Sequence, residues 1–146
     1  MQSALYTLGV VALIILAARF IPADSEPFHE DPAEPEKRRS EVRLIGREAP
    51  RFATDADTLL TTLSKVVRRD WRVGIVEGSV DEGMITFVAR STIFGFRDYI
   101  TVKATDEAGG AKLSVFARPR FNVFDWGVNQ KRLNRWLGKL EKALGE

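Results

Sequence analysis

Residues 111–144, AKLSVFARPRFNVFDWGVNQKRLNRWLGKLEKAL, change their hydrophobic period part-way along, and that change decides the fold. From Ala111 to Arg118 the side chains alternate, with Leu113, Val115 and Ala117 on one side and Lys112, Ser114 and Arg118 on the other. That is the period of a strand with one face buried. From Val128 onward the apolar residues Leu133, Trp136, Leu137, Leu140 and Leu144 recur at the spacing of an amphipathic helix. Between the two lies RPRFNVFDWGVN, Arg118 to Asn129, with two arginines at alternate positions followed by Asp125, Gly127 and Asn129. Those residue types cap a helix or hold an anion at its N-terminus.

Working back from Ala111, Asp106 to Gly110 reads as a hairpin turn. Before it come three strands: Asp98–Thr105 with Ile100, Val102 and Ala104 inward, Met84–Ser91 with Ile85, Phe87 and Ala89 inward, and Trp71–Glu77, closed by the turn Gly78–Gly83. A helix precedes them from about Asp55 to Arg69, marked by Leu59, Leu60, Leu63, Val66 and Val67, with Thr54 and Asp57 resembling a capping box. Val42 to Ile45 reads as a short strand or a docking segment. The order predicts an α+β domain over residues 41–146: helix, four-stranded antiparallel sheet, second helix, with both helices on one sheet face. No internal repeat is evident.

The N-terminal segment is of another kind. Met1 to Ala18 carries no charge, and residues 1–21 at about 1.5 Å each would just match a bilayer core of about 30 Å. A basic n-region is missing, so a retained transmembrane anchor is expected in preference to a cleaved signal. Residues 22–40 follow as an extended linker, with Pro22, Pro27, Pro32 and Pro35 at near-regular intervals. Its element FHEDP, Phe28 to Pro32, reads as solvated linker or short docking segment.

Composition narrows the chemistry. The 146 residues, 45% hydrophobic and 29% charged, suit one globular domain. Without cysteine there is no disulfide, thiolate nucleophile or Cys-ligated metal, and His29 is the sole histidine, which argues against a hydrolase triad. Adjacent Glu30 and Asp31 diverge in direction, so no metal site is expected there, and no cofactor either. The net charge of +2 hides segregation, because Pro22–Glu36 holds six acidic residues and no lysine or arginine, while Lys37, Arg38, Arg39, Arg43, Arg47 and Arg51 follow. No nucleic-acid motif is present, so no nucleic-acid partner is expected.

Strand parity suggests where a ligand would sit. With Ile85, Phe87 and Ala89 inward, Arg90 faces away, as do Arg118 and, where the strand frays, Arg120. Arg90, Ser91, Arg118, Arg120, Asn129 and Arg132 form the candidate anion site, with Asp98 and Asp125 at its margin as structural partners or acid/base groups. Guanidinium groups bind phosphate or carboxylate through two hydrogen bonds and keep their charge. The competing reading is structural: Asp98 and Asp125 pair with the arginines and pin the second helix to the sheet.

From Phe87 to Leu140 these elements occur in the order of a known signature. Arg90-Ser91, Phe96-x-Asp98-Tyr99, and then Arg118, Arg120, Asp125, Gly127, Asn129 and Arg132 resemble the bacterial domain-of-unknown-function family fourteen-ninety-nine. Ala117 and Pro119 stand where that family commonly has serines, and Asn122 where it has glycine, which removes hydroxyl nucleophiles. The resemblance implies no established activity, and it implies exported, membrane-tethered relatives, some with an aromatic-His-x-Asp-Pro element like FHEDP. The expectation is thus a single-pass inner-membrane protein with its domain on the periplasmic side, although the positive-inside rule argues for the cytoplasm. Its expected role is a non-enzymatic binding domain, partnered by the membrane and by an anionic lipid headgroup or a protein. The alternative is an enzyme acting on a phosphorylated or carboxylated substrate.

Overall fold

The computed structural model describes residues 2–21, 28–33, 41–91, 95–120 and 127–145. Its elements are α1 (Gln2–Phe20), β1 (Val42–Leu44), β2 (Arg51–Phe52), α2 (Ala56–Val67), β3 (Val73–Ser79), β4 (Met84–Arg90), β5 (Arg97–Glu107), β6 (Gly110–Pro119) and α3 (Val128–Leu144). The architecture is α+β, and all strand pairs are antiparallel.

The sheet has six strands rather than the expected four. The meander β3–β4–β5–β6 is as read, but β1 and β2 both pair with the far edge of β6. Val42–Leu44 lie opposite Val115–Ala117, and Arg51–Phe52 lie opposite Ala111–Lys112. Strands of three and two residues are too short to show a period, so pairing with β6 defines them and local propensity does not. On the other edge, Ile75 opposes Phe87 while Glu77 opposes Thr86, which leaves Val76 as the extra residue of a β-bulge.

A second correction concerns the N-terminus. No helix among the described residues is long and apolar enough to cross a membrane, so a single-pass inner-membrane protein is not supported. The run between polar Ser3 and Arg19, residues 4–18, would rise about 22 Å at about 1.5 Å per residue, short of a bilayer core of about 30 Å.

Alternation places Ile85, Phe87, Ala89, Ile100, Val102, Ala104, Leu113, Val115 and Ala117 on one sheet face, where they form the core with both helices. Helix α2 contributes Leu59, Leu60, Leu63 and Val67, and α3 contributes Leu133, Trp136 and Leu140. The Trp136 and Phe87 rings meet edge to face at 5.9 Å. The α2 N-cap is Asp55, one residue beyond the expected Thr54, and its carboxylate accepts from the Thr58 N–H at 2.8 Å. That bond holds the Asp55 carboxyl below its ordinary value.

The opposite face is covered in part by residues 28–33. The Phe28 ring stacks on Tyr99 with centroids 4.0 Å apart and planes 8° apart. Thr101 Oγ1 donates to the Phe28 carbonyl at 2.8 Å, and His29 Nδ1 lies 2.8 Å from Thr86 Oγ1. Lys103 pairs with Asp31, and Arg118 with Glu30 at 3.2 Å. Of the two readings of FHEDP, the structure shows a docked segment.

Candidate binding site

The structure distributes the predicted site residues over three places. Arg118 lies on the face under Phe28, its side chain 9% exposed, with its guanidinium carbon 4.5 Å from the Phe116 ring centroid and 5.0 Å from that of Phe28. Burial between two rings and the Glu30 carboxylate makes it a packing residue for that face. Arg120 turns elsewhere: its Nη1 donates to the Ile21 carbonyl at 2.9 Å, which also accepts from Arg97 Nη1 at 3.1 Å. Two guanidiniums on one carbonyl fasten the end of α1 to the sheet.

Asp98, Asn129 and Arg132 are gathered on the helix-covered face. Asp98 shares the parity of Ile100, and its carboxylate accepts from Arg132 Nη1 at 3.1 Å, both side chains being 8% exposed. Arg132 Nη1 also donates to the side-chain Oδ1 of Asn129 one turn earlier. A strand and the first turns of α3 are thereby joined by a charge-assisted clasp. Asp125 lies outside the described residues.

Arg90 and Ser91 occupy the third place, at the end of β4. Ser91 closes the connection to β5: its N–H donates to the Phe96 carbonyl at 2.8 Å and its hydroxyl accepts from the Phe96 N–H at 3.1 Å. The Arg90 N–H donates to the Arg72 carbonyl at 3.1 Å, which brings two arginines to one lip.

That lip borders a cleft of about 410 Å³ between the start of β3, the end of β4 and the first turns of α3. Asp70, Trp71, Arg72, Arg90, Lys131, Arg132 and Arg135 are among the residues that line it. A neighbouring hollow of about 490 Å³ shares Trp71, Arg72 and Arg90 and adds Ser91. Arg132 is held by Asp98, and Arg135 Nη2 is 3.1 Å from Asp70 Oδ2. Arg72, Arg90 and Lys131 have no carboxylate within ion-pair distance among the described residues. The Arg72 guanidinium lies 4.6 Å above the Trp71 ring, which is itself 84% exposed. The first turn of α3 contains no acidic residue.

Sequence reasoning identified Arg90 and Arg132, with Ser91 in the adjoining hollow, but missed Trp71, Arg72, Lys131 and Arg135 as parts of one cleft. A signal existed for α3, because Lys131 and Arg135 are four apart and share a helix face. Nothing local links that face to Trp71 and Arg72, which the packing of α3 on the sheet brings alongside. Among the described residues no group of three His, Asp or Glu side chains could hold a metal ion.

Comparison with curated proteins and with solved structures gives no match. The family model for proteins of unknown function designated DUF1499 matches residues 28–140, which starts at the docked Phe28 and runs through the clasp and the cleft. The chain belongs to the DUF1499 family.

Proposed function

We propose that this domain is a binding module, and that the cleft between β3, β4 and α3 takes a small ligand bearing phosphate or carboxylate. One observation carries the reading: Arg72, Arg90 and Lys131 converge on the cleft without a carboxylate partner among the described residues, beside the exposed ring of Trp71. Converging cations repel one another, and an anion between them relieves that repulsion while gaining charge-assisted hydrogen bonds. The indole offers a flat apolar surface for the remainder of the ligand. On this reading Arg90 and Arg132 of the expected anion site serve the cleft, Ser91 lines the neighbouring hollow, and Arg118, Arg120 and Asn129 serve packing.

The enzymatic alternative requires a carboxylate free to exchange a proton with substrate. Asp98 is buried and bonded to Arg132, which favours binding over acid/base chemistry.

The test is calorimetric titration of the full chain with inorganic phosphate, a dicarboxylate, a sugar phosphate and a nucleoside monophosphate. Vesicles with and without an anionic lipid form a separate arm, since a headgroup phosphate shares the chemistry. A hydrogen bond to a charged group contributes about 1.5–3 kcal/mol, so Arg90→Ala and Lys131→Ala should each weaken binding roughly tenfold or more. Absence of binding by every probe, or variants that bind as tightly as wild type, would refute the proposal.

A further inference from the structure

We infer that the sheet face opposite the helices is a second binding site, for an acidic segment with an aromatic anchor from a partner protein, held meanwhile by the chain's own Phe28–Asp31. The site is independent of the basic cleft and lies on other residues.

Each of four consecutive residues meets a side chain of the sheet. Phe28 lies on Tyr99, with Arg118 beside its ring and Thr101 on its carbonyl. His29 meets Thr86, whose hydroxyl is 2.9 Å from that of Thr101. Glu30 takes Arg118 and Asp31 takes Lys103. A connector that only crossed a sheet would need apolar contact, whereas here charge matches charge and an aromatic ring matches an aromatic ring. Recognition runs through side chains and one carbonyl, unlike strand addition, so the occupant is read by its sequence.

The resident segment does not satisfy everything beneath it. The Tyr99 hydroxyl is buried and has no hydrogen-bond partner among the described residues. A buried hydroxyl left unbonded is unfavourable, so an occupant with a polar group at that depth would add an interaction that Phe28–Asp31 does not make. A second copy of the chain offers the identical segment and would leave the same phenol unsatisfied. The unsatisfied hydroxyl therefore favours a partner of different sequence but like character, acidic and aromatic, to complement Lys103, Arg118 and Tyr99. Such a partner competes with a tethered segment whose effective concentration is of order millimolar.

Fluorescence anisotropy of a labelled peptide of sequence PFHEDPA, titrated with the full chain, tests this. The wild type should bind it weakly, because the groove is filled. The Glu30→Gln/Asp31→Asn variant, whose own segment loses both ion pairs, should bind at least tenfold more tightly, and adding Lys103→Ala should remove the gain. Phe28→Ala weakens the resident segment by a separate route and should show the same gain, so misfolding of one variant leaves the other to decide. A peptide with lysine in place of both acids should not bind. The proposal is overturned if neither variant gains affinity or if the lysine peptide binds equally. It is also overturned if the wild type forms a concentration-dependent dimer that Phe28→Ala abolishes, which would assign the groove to a second copy.

Discussion

Replacing Asp98 by asparagine removes a charge from the Asp98–Arg132 clasp and leaves side-chain size almost unchanged. Both side chains are 8% exposed, so water cannot replace the lost carboxylate. Breaking such a pair from one side costs about 3–5 kcal/mol, chiefly because the remaining ion stays buried without its counter-charge. Arg132 keeps its bond to Asn129, which places the expected loss near the lower end, at about 3 kcal/mol. For a domain of about 100 residues, each kcal/mol moves the midpoint by about 4–8 °C, so Asp98→Asn should melt at least about 12 °C below wild type. Urea unfolding followed by tryptophan fluorescence should show a lower midpoint at unchanged slope, the mark of altered stability rather than an altered denatured state. An Asp98→Leu/Arg132→Met double variant should recover most of the loss, since an apolar pair of similar volume carries no desolvation cost. A single variant within about 1 kcal/mol of wild type, or a double variant no better than the single, would refute this account of the clasp.

Two further outcomes follow from named contacts. A Cβ on Gly110 would lie 2.0 Å from the Phe52 carbonyl oxygen, a backbone atom, so Gly110→Ala should cost about 1–3 kcal/mol in urea unfolding as β2 is displaced from β6. Burial pushes the Asp31 carboxyl up, but the hydrogen bonds from Lys103 and the Ala33 N–H, with the lysine charge, outweigh it and hold the group below its ordinary value. The stability it contributes is thus present above the unfolded carboxylate pKa of about 4 and is lost as pH falls through the lower folded value; the urea midpoint of wild type should exceed that of Asp31→Asn at about pH 6, and the gap should narrow progressively as pH falls below about 4.

The elements legible from sequence are those whose period survives in a long enough run. Leu59, Leu60, Leu63, Val66 and Val67 declare α2, and the alternation of β4 and β6 fixes which of their residues face the helices. That parity placed Arg118 on the opposite face, where it lies, and applied to Ile100 it also places Asp98 among the core residues. Asn129 and Arg132 likewise share a helix face with Leu133 and Trp136, so the clasp was readable from spacing alone. β2 was not, and Val42 to Ile45 and Phe28 to Pro32 read only as a short strand or docking segment and as linker or docking segment, because each is specified by what it meets across the sheet. Proline and acidic residues resemble linker until Lys103 and Arg118 are seen opposite them. The basic cleft is hidden for a similar reason, since Arg72 and Lys131 are far apart in sequence and become neighbours only when α3 packs.

The treatment of the two sheet edges bears on how the chain avoids polymerising. One side of β6 is occupied by β1 and β2 in turn, while β3 ends the sheet among the described residues. A flat β3 would present a regular row of backbone donors and acceptors to any other strand, the template from which fibrils extend. The extra residue Val76 breaks that row, and neighbouring Glu77 adds a charge that another strand would have to accommodate. The bulge that spoils the register of β3 therefore also makes that edge a poorer template for a further strand.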